Sequence, residues 1–585
     1  MTAGIYCFGP FELDPENFEL RRAGRRIKLD RTPLELLLLL VRRSMKLVTH
    51  QEAVQEVWGR DVVIETEAAL YTAIRKIRRA LGDRPAKPRF VETVARKGYR
   101  FIGLPAPPDT RPNAAPQEET PRRVMLAVLP LENLSGESRQ DYFSDGLTEQ
   151  LISELGRFSP QELGVIARTS VLRYKGTRKS IAQIGAELGV DYVIEGSARH
   201  ERNRVRIALQ LISVKDQTHV WAETFDRPLG HVLRLQAEVA KAVAEKIRLK
   251  FAAAAAPSAP LDPEVYDLHL RGRYLAEQRT APTIRRAIHH FESALALDSG
   301  YAPAWAGLAR CYATLAITSD LRPRDCFPQA RQASEQALAL DPKLPDAHLA
   351  RGIVHFWFDW DWQAAEREFR RACSLNPSDS AARMFLAHLH SNLRRHAEAI
   401  PEIRAARRLD PVSAILNTHE AQLLYNARRY DEATEPVKRV LELTPRFWVA
   451  RIVRGKILGV RRQFRHALGE FLKAQRYSSG NTEAVGLRGY TLGVSGNVSQ
   501  ARRVLRELEV RARRRYVPPL HRALVLLGRG ERQGAFEALQ QSLEERDVRL
   551  TFLAVEPRWD PLRTAPEFDS ICRQVGVPVE AAATP

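Results

Sequence analysis

A repeat of 34 residues in the C-terminal half of this 585-residue chain constrains its fold more than any other feature. Alanines recur every 34 residues, beginning with Ala365. The large apolar residue Phe369 lies four positions after Ala365, and Pro377 lies twelve positions after it. Proline lacks an N–H and clashes with the preceding turn, so it ends a helix there. The period therefore predicts helix–turn–helix units stacked into a solenoid. The alanines of the series are Ala365, Ala399, Ala433, Ala467, Ala501 and Ala535.

The repeat closely resembles tetratricopeptide repeats, and we count about eight of them between residues 264 and 548. Upstream, Ala330 and Pro342 keep the twelve-residue offset between alanine and proline. The resemblance implies an all-α array over residues 261–550 that binds a protein or peptide on its concave face. Residues 551–585 are expected to cap the last repeat, because a solenoid otherwise ends on an exposed apolar face.

Two breaks in composition divide the chain. Residues 104–121 and 252–260 are rich in proline and alanine and lack apolar periodicity, so we expect them to be linkers. Residues 1–103 and 122–251 then form separate domains in front of the array. We predict a multidomain fold, in which a winged helix of the α+β class, a small α/β domain and an all-α solenoid follow one another.

Composition excludes several classes of protein. With 44% hydrophobic and 27% charged residues, the chain is globular rather than disordered. The five cysteines are scattered without a CxxC pair, which favours a reducing compartment and offers no zinc motif. The N-terminus lacks the pattern of a signal peptide, and no apolar run approaches the ~18 residues needed to span a bilayer. We expect a cytoplasmic protein with no membrane segment.

The formal net charge of +20 is unevenly distributed along the chain. Residues 1–103 hold 20 basic and 13 acidic residues, a balance of +7, and the other 482 residues share +13. Arginine outnumbers lysine throughout, which genome composition explains as readily as function does. Position is more informative than the total, so a nucleic-acid surface is expected first within residues 1–103.

Residues 122–251 alternate between strand and helix patterns. Residues 124–129 form a short apolar run, residues 204–211 alternate polar and apolar side chains, and residues 147–155 have helical spacing. An amphipathic helix follows over roughly 229–251. The segment resembles the TolB amino-terminal-like domain in AVLPLENLSGES, VIARTSVLRYKG and LGVDYVIEGSAR. The resemblance implies a domain that joins its neighbours or senses a ligand, but it does not identify the ligand.

The first domain begins with strand patterns and continues with three helices. Residues 5–29 contain four strand-like pieces separated by turn residues. Thr32, just before a proline, is expected to cap the first helix, and Thr49 to cap the second. The third helix is expected over residues 65–82. Residues 89–101 then form two short β segments around a basic turn.

The third helix has an apolar stripe on one side and a basic face on the other. At about 100° per residue, Ile74, Ile77 and Leu81 fall within about 40° of Leu70. An α-helix fits the major groove of B-DNA, arginine can pair with a guanine edge, and flanking cations can reach phosphates. A solvated basic face on an ordinary helix would have the same pattern. The residues predicted to contact DNA are Thr72, Arg75, Lys76, Arg78 and Arg79.

The β hairpin after this helix favours the DNA-binding interpretation. Arg96, Lys97 and Arg100 cluster at a turn that Gly98 makes possible. A basic wing beside a basic helix provides a second contact, to the DNA backbone or the minor groove. The whole arrangement resembles the OmpR/PhoB-type winged-helix DNA-binding domain, through RTPLELLLLLV, YTAIRKIRRALGD and VETVARKGYRF.

The resemblance implies that Thr72 and Arg75 face bases, with Lys76 and Arg79 beside them. Ala95 stands where many members carry an arginine in the wing, so wing contacts do not carry over directly. Substitutions within the helix likewise prevent the target sequence from being taken from relatives.

The order of domains resembles CadC-like regulators, whose sensory part lies C-terminal to the winged helix. Related winged helices usually follow a phosphorylatable receiver domain, and we expect none in front of this one. CadC-like chains often have a membrane helix where this chain has its proline-rich linker, so membrane signalling is not expected. The resemblance implies double-stranded DNA as a partner. Because a single winged helix makes few phosphate contacts, we also expect a homodimer or tandem binding on DNA.

Motifs for catalysis are absent from the sequence. It contains no HExxH, GxSxG, GxGxxG or complete GxxxxGK[ST], and the Lys179–Ser180 pair lacks the preceding glycine. Histidines such as His388 lie in helical repeats and are expected to pack rather than bind metal. The aromatic cluster at residues 356–362 is expected to be core, with a partner-binding patch as the alternative. We predict no enzyme activity, no cofactor and no metal.

Three hypotheses remain at this point. The first is a cytoplasmic, sequence-specific transcriptional regulator. The second is an interaction scaffold whose winged helix does not bind DNA specifically. The third, a regulatory subunit or degenerate relative of TolB–repeat cyclases, is disfavoured because the chain has no catalytic domain. The first two differ in the salt dependence of DNA binding and in whether Arg75 and Arg79 matter.

Overall fold

The computed structural model describes residues 6–8, 11–15, 17–22, 25–27, 29–59, 66–83, 88–94, 97–103, 123–135, 141–158, 162–201, 204–247, 261–278, 280–318, 321–478 and 481–579. The chain divides into two compact units, residues 1–120 and 121–585, and each is described by itself. Both predicted linkers, 104–121 and 252–260, lie outside the described residues.

The first unit consists of a small sheet, three helices and a second small sheet. Its elements are β1 (Tyr6–Phe8), β2 (Phe11–Asp14), β3 (Glu19–Arg22), β4 (Arg25–Ile27), α1 (Arg31–Arg42), β5 (Leu47–Thr49), α2 (His50–Trp58), α3 (Thr66–Leu81), β6 (Val91–Val94) and β7 (Gly98–Phe101). The first sheet is antiparallel in the order β1-β2-β3-β4, and the second has the order β5-β7-β6. This is the predicted winged helix, with β6 and β7 as the wing.

The ends of the helices in this unit follow from capping. Thr49 caps α2, and its side chain and that of Glu52 satisfy each other's backbone N–H groups, as predicted for Thr49. The predicted cap at Thr32 is wrong, because α1 begins at Arg31 with Asp30 at the N-cap. The N–H of Leu34 already donates to the Asp30 carbonyl, at 3.1 Å. Thr32 therefore lies inside the first turn of the helix.

Gly98 at the start of β7 is required by close packing. A Cβ atom there would lie 2.1 Å from the carbonyl oxygen of Val48 in β5. Thr49 is the Cα partner of Gly98 in this β5–β7 ladder. Glycine thus lets the wing lie directly against β5.

The second unit begins with an α/β domain, as predicted. Its elements are β8 (Val124–Val128), β9 (Glu132–Asn133), α4 (Asp141–Phe158), β10 (Leu163–Val165), α5 (Arg168–Val171), α6 (Ile181–Leu188), β11 (Tyr192–Glu201), β12 (Arg204–Ser213), β13 (His219–Pro228) and α7 (Val232–Lys246). The sheet has the order β10-β8-β11-β12-β13, and β9 pairs with β11. Strands β10, β8 and β11 are parallel, whereas β11, β12 and β13 are antiparallel.

The described residues that follow form sixteen helices, which pack as eight sequential antiparallel pairs. Alanines of the 34-residue series are buried between the paired helices, as Ala365, Ala433 and Ala501 are. The helices are α8 (Pro263–Ala276), α9 (Ala281–Leu297), α10 (Ala302–Thr318), α11 (Pro323–Leu340), α12 (Pro345–Val354), α13 (Trp362–Leu375), α14 (Ser380–Asn392), α15 (His396–Leu409), α16 (Ala414–Asn426), α17 (Tyr430–Leu443), α18 (Trp448–Val460), α19 (Phe464–Tyr477), α20 (Glu483–Val494), α21 (Val498–Ala512), α22 (Pro519–Gly528) and α23 (Arg532–Glu544).

The C-terminal segment, residues 546–579, packs on the last helix α23 and also contacts the inner helices of earlier repeats. It contains α24 (Pro566–Val575). Glu556 accepts a hydrogen bond from Tyr425 of α16 at 2.7 Å and pairs with Lys456 of α18 at 3.3 Å. Further contacts join Arg549 to Glu483 of α20, Trp362 of α13 to the Val575 carbonyl, and Arg532 of α23 to the Pro561 carbonyl. The segment therefore contacts helices of several different repeats.

The α/β domain is anchored to the array by buried polar contacts. The Asp410 carboxylate, in the turn after α15, accepts hydrogen bonds from the hydroxyls of Thr169 and Ser170. The Ala167 N–H donates to the Leu409 carbonyl at 2.7 Å. Burial raises the pKa of Asp410 above its ordinary value. The α/β domain and the array thus share one continuous packed unit.

The aromatic cluster of the third repeat is packed internally. Phe356 is 1% exposed, and its ring contacts those of Trp362 and Phe369. The Arg546 guanidinium lies 4.5 Å from the centre of the Trp360 ring. These contacts agree with the core interpretation of the cluster. Among the described residues, no helix combines the length and hydropathy needed to cross a membrane.

Candidate nucleic-acid interface

Helix α3 separates its apolar and basic residues onto opposite faces, as the sequence predicts. Leu70, Ile74, Ile77 and Leu81 are between 0% and 4% exposed and pack into the core of the first unit. This packing fixes the rotation of the helix about its axis. The exposed side chains on its outer face are Thr72, Arg75, Lys76 and Arg79.

Arg75 and Arg79 are the least engaged of the predicted DNA-contacting arginines. Both are exposed, and neither forms an ion pair with an acidic side chain among the described residues. They lie four positions apart, so they are neighbours on the same face of the helix. Two unpaired guanidinium groups at this spacing can hydrogen-bond to guanine edges or to phosphates.

Lys76 and Arg78 already have partners within the domain. The Lys76 ammonium pairs with the carboxylate of Asp30, the residue at the N-cap of α1. Arg78 is half-buried and donates hydrogen bonds to the Val91 carbonyl at 2.9 Å and to the Thr93 hydroxyl at 2.8 Å. Arg78 therefore joins α3 to strand β6 of the wing, which is a positioning role.

The wing presents one clearly exposed cation among the described residues of its turn. Lys97 is exposed, and its carbonyl accepts a hydrogen bond from the His50 N–H at 3.3 Å. Arg100 is half-buried, 3.5 Å from the carboxylate of Glu92 across the hairpin. The predicted contact residue Arg96 lies outside the described residues.

An aromatic contact beside the basic face was not predicted from the sequence. The Tyr71 side chain is 53% exposed, and its ring lies 6.0 Å from that of His50 at the start of α2. The His50 ring in turn lies 5.5 Å from Tyr99 in the wing, and burial raises the pKa of Tyr99. The three rings form a row across α3, α2 and the wing. The exposed position of Tyr71, next to Thr72 on the helix, was the signal that could have revealed it.

Two family models match the chain, and together they cover its first two domains. Residues 24–101 match "Transcriptional regulatory protein, C terminal". Residues 122–242 match "HilA/YgeH-like transcriptional regulator, second domain". The second match relates the α/β domain to a domain of transcriptional regulators. The resemblance of this domain to the TolB amino-terminal-like domain stays a prediction.

Individual proteins match parts of the chain. A Rhizobium meliloti protein named as an adenylate cyclase is 34% identical over 253 residues, which are 42% of each chain. The DNA-binding dual master transcriptional regulator RpaA of Synechocystis is 37% identical over 91 residues, 16% of this chain and 37% of that protein. The chain thus spans less than half the length of these curated relatives.

A solved structure also aligns with the chain. The Klebsiella pneumoniae RstA DNA-binding domain in complex with the RstA box is 23% identical. The alignment covers 17% of this chain and 98% of that domain, with a TM-score of 0.16. From the family matches and the fold together, the chain carries an OmpR/PhoB-type DNA-binding domain of transcriptional regulators, followed by a HilA/YgeH-like regulator domain and a tetratricopeptide-type array.

Proposed function

We propose that the chain is a cytoplasmic, sequence-specific transcriptional regulator in which α3 reads the major groove of DNA. The observation that carries this proposal is the position of Arg75 and Arg79. Both are exposed on the face opposite the buried stripe of α3, and neither forms an ion pair within the described part of the chain. Each bidentate contact between an arginine and a guanine contributes about 1–3 kcal/mol of discrimination between bases. Thr72 lies on the same face and can accept or donate a hydrogen bond at a base edge.

The remaining basic residues divide into two groups in this proposal. Lys97 and Arg96 of the wing contact the DNA backbone, where they add affinity without sequence information. Lys76 reaches a phosphate after leaving Asp30. Arg78 and Arg100 keep their contacts to β6 and orient the wing relative to α3.

The α/β domain and the array supply regulation in this proposal. They form one packed unit, so a ligand or a protein partner bound to either would act on both. Because the C-terminal segment contacts helices of several repeats, a protein partner would bind elsewhere on the array or displace that segment. Dimeric or tandem binding to neighbouring sites on DNA would raise affinity through effective concentration.

The experiment is selection from random duplex DNA with the purified full chain. The wild-type protein is compared with the Arg75→Ala/Arg79→Ala variant and with Arg42→Ala, an exposed arginine at the end of α1. We expect wild type and Arg42→Ala to enrich the same motif and the double variant to lose it. If wild type enriches no motif, or if the double variant enriches the same one, sequence-specific reading by α3 is wrong and the scaffold hypothesis gains support.

A further inference from the structure

The positive charge of the chain is concentrated in the last repeats of the array. Residues 446–532 contain 20 Lys and Arg residues but only five Asp and Glu residues, a net charge of +15. The whole chain has a net charge of +20, and residues 1–103 account for +7. All other residues together are therefore close to neutral. The basic excess of this protein lies in two places, and the larger one is outside the winged helix.

Genome composition does not explain this concentration. A genome that favours arginine would raise its frequency along the whole chain, yet the rest of the array and the α/β domain balance arginine with acidic residues. The distinctive property of residues 446–532 is the scarcity of Asp and Glu. A solvated helix face ordinarily mixes both signs of charge. A region that lacks acidic residues repels itself and is stabilised by an anionic ligand.

Some of these cations have a role inside the fold. Arg451 pairs with Glu470 at 2.7 Å, and both side chains are at most 10% exposed. Lys456 pairs with Glu556 of the C-terminal segment. These groups are not accessible to a ligand, so they do not belong to the exposed basic surface.

Five further cations also pair with acidic side chains: Arg461, Lys473, Arg488, Arg511 and Arg529. Ten others are exposed and form no ion pair with an acidic side chain among the described residues. The exposed state of these side chains follows from their helices, which bury Ala467, Phe471, Ala501, Val504 and Leu508 on the opposite side. The unpaired, exposed arginines are Arg446, Arg454, Arg462, Arg465, Arg476, Arg502, Arg503, Arg506, Arg513 and Arg514.

Helix α21 gathers the densest part of this surface. At about 100° per residue, Arg502, Arg506 and Arg513 fall within about 40° of one another, and Arg503 lies beside them. We call these four residues the α21 arginine face. Between Arg502 and Arg513 the helix rises by about 16 Å, at ~1.5 Å per residue. Among the described residues, the exposed Glu509 falls on the same side of the helix and forms no ion pair, so the face carries four cations and one carboxylate.

A surface of this kind matches the backbone of double-stranded DNA. DNA carries about one negative charge per ~1.7 Å of its axis, so the α21 arginine face spans many phosphates. The planar guanidinium group forms paired hydrogen bonds to phosphate oxygens. Because the same chain carries a DNA-binding domain, duplex DNA would be present near the array at a raised effective concentration.

A membrane surface fits the α21 arginine face less well. A helix that lies on a lipid bilayer needs an apolar face to insert beside its basic face. In α21 the apolar residues Ala501, Val504 and Leu508 are already buried in the array. The large apolar side chains of α21 that are exposed are Val498, at 42%, and Val510, at 51%, and they stand near opposite ends of the helix.

We propose that the α21 arginine face binds the phosphate backbone of double-stranded DNA as a second, sequence-independent contact of this chain. This proposal rests on the proposed function in one respect: the duplex that the α21 arginine face contacts is the one that the winged helix binds. It assigns to the array a role in holding DNA, in addition to any regulatory role.

The test measures how binding of the full chain to a fluorescent duplex of mixed sequence, about 60 base pairs long, depends on salt. Three chains are compared: wild type, the reversal Arg502→Glu/Arg503→Glu/Arg506→Glu, and a control reversal Arg367→Glu/Arg371→Glu/Arg408→Glu. The control residues are exposed and unpaired in α13 and α15, and their reversal changes the net charge equally. We expect the α21 reversal to weaken binding more than tenfold near 0.1 M salt and to reduce the salt slope by about 2–3, because each lost phosphate contact lowers it by ~0.9. The control should change affinity less than about twofold.

Equal effects of the two reversals would overturn the proposal, since only net charge would then matter. So would an α21 reversal that leaves duplex binding unchanged but abolishes sedimentation with vesicles of phosphatidylglycerol and phosphatidylcholine, which would assign the face to membranes. Repeating the comparison in the Arg75→Ala/Arg79→Ala background separates the two proposals. If the α21 reversal still weakens duplex binding more than the control reversal does in this background, the array contact is supported even if α3 selects no motif. If wild type selects a motif but the two reversals weaken binding equally, the proposed function stands and the array contact is wrong.

Discussion

Arg78 of the third helix donates hydrogen bonds to the Val91 carbonyl and the Thr93 hydroxyl, and so fastens the helix that carries Arg75 and Arg79 to the strand that leads into the wing. Arg78 thus fixes the position of α3 relative to the wing. Of the three arginines on this helix, Arg75 and Arg79 are exposed and Arg78 is half-buried.

Replacing Arg78 with alanine should lower both stability and DNA binding. Loss of the hydrogen bonds leaves the Val91 carbonyl unsatisfied, which costs about 1–3 kcal/mol. Thermal unfolding of the full chain should show the loss of stability. Hydrogen exchange should then increase in α3 and in the wing. Arg79→Ala is the matched control, because it should weaken DNA binding and leave stability within about 0.5 kcal/mol. Unchanged hydrogen exchange in Arg78→Ala would show that the link to β6 contributes no stability.

Replacing Asp30 with alanine should strengthen binding to DNA. The Lys76–Asp30 pair is exposed, so its loss changes stability by less than about 1 kcal/mol. The substitution removes one negative charge beside the interface and frees one ammonium group for a phosphate. Because Lys76 no longer has to leave Asp30 to reach a phosphate, affinity should rise by up to about fivefold, the equivalent of an exposed pair worth less than about 1 kcal/mol. Fluorescence anisotropy measures this, and an affinity equal to that of wild type would mean that Lys76 does not contact the DNA backbone.

Replacing Asp410 with alanine should loosen the α/β domain from the array. The buried Ser170 hydroxyl would lose its acceptor, at a cost of about 1–3 kcal/mol, whereas the Thr169 hydroxyl is exposed and can bond to water instead. Hydrogen exchange in α5 should increase more than in the sheet. Asp341→Ala is the control, since Asp341 starts the equivalent aspartate–proline turn of an earlier repeat but is only half-buried. Equal exchange in both variants would contradict the anchoring role.

Replacing Glu556 with glutamine should change the acid stability of the array. Burial alone would raise the pKa of this carboxyl, but Arg558 and Lys456 outweigh burial and lower it from 4.5 to about 2. A lowered folded-state pKa stabilises the protein above the unfolded-state value, and this contribution is lost as the pH falls from about 4.5 towards 2.

Unfolding by denaturant at several pH values checks this expectation. Wild type should lose about 2–3 kcal/mol over that pH range through Glu556, and Glu556→Gln should lack this part of the pH dependence. At neutral pH the variant should be less stable, because Lys456 and Arg558 lose a buried counter-charge. Glu567→Gln, an exposed carboxyl on α24, should behave as wild type. Parallel pH profiles for both variants would contradict the assignment.

Local patterns in the sequence were sufficient for the elements and the faces of the DNA-binding domain. The apolar stripe of α3 predicted its buried side, because a helix has one rotation that buries Leu70, Ile74 and Ile77 together. The individual partners of Lys76 and Arg78 could not be predicted in this way. They depend on Asp30 and Thr93, which are distant in sequence and become neighbours only through the tertiary fold.

The organisation of the array was predicted only in part. The 34-residue period predicts helix pairs, since each pair repeats its own local contacts. The course of the C-terminal segment does not follow from any period, because contacts such as Glu556 to Tyr425 join residues far apart in sequence. The charge of residues 446–532 is a property of the sequence, but a comparison of the first domain with the whole remainder averages it out.

The C-terminal segment has a consequence for how this array can change in evolution. In an open solenoid a repeat can be gained or lost, because each repeat contacts only its neighbours. Here Trp362, Tyr425, Lys456 and Arg532 belong to four different repeats and all contact this one segment. Inserting or deleting 34 residues between them would move these contacts out of register at once. Because the C-terminal segment contacts all four of these repeats, a change in the number of repeats between them would break these contacts. The array is therefore expected to be inherited as a single unit.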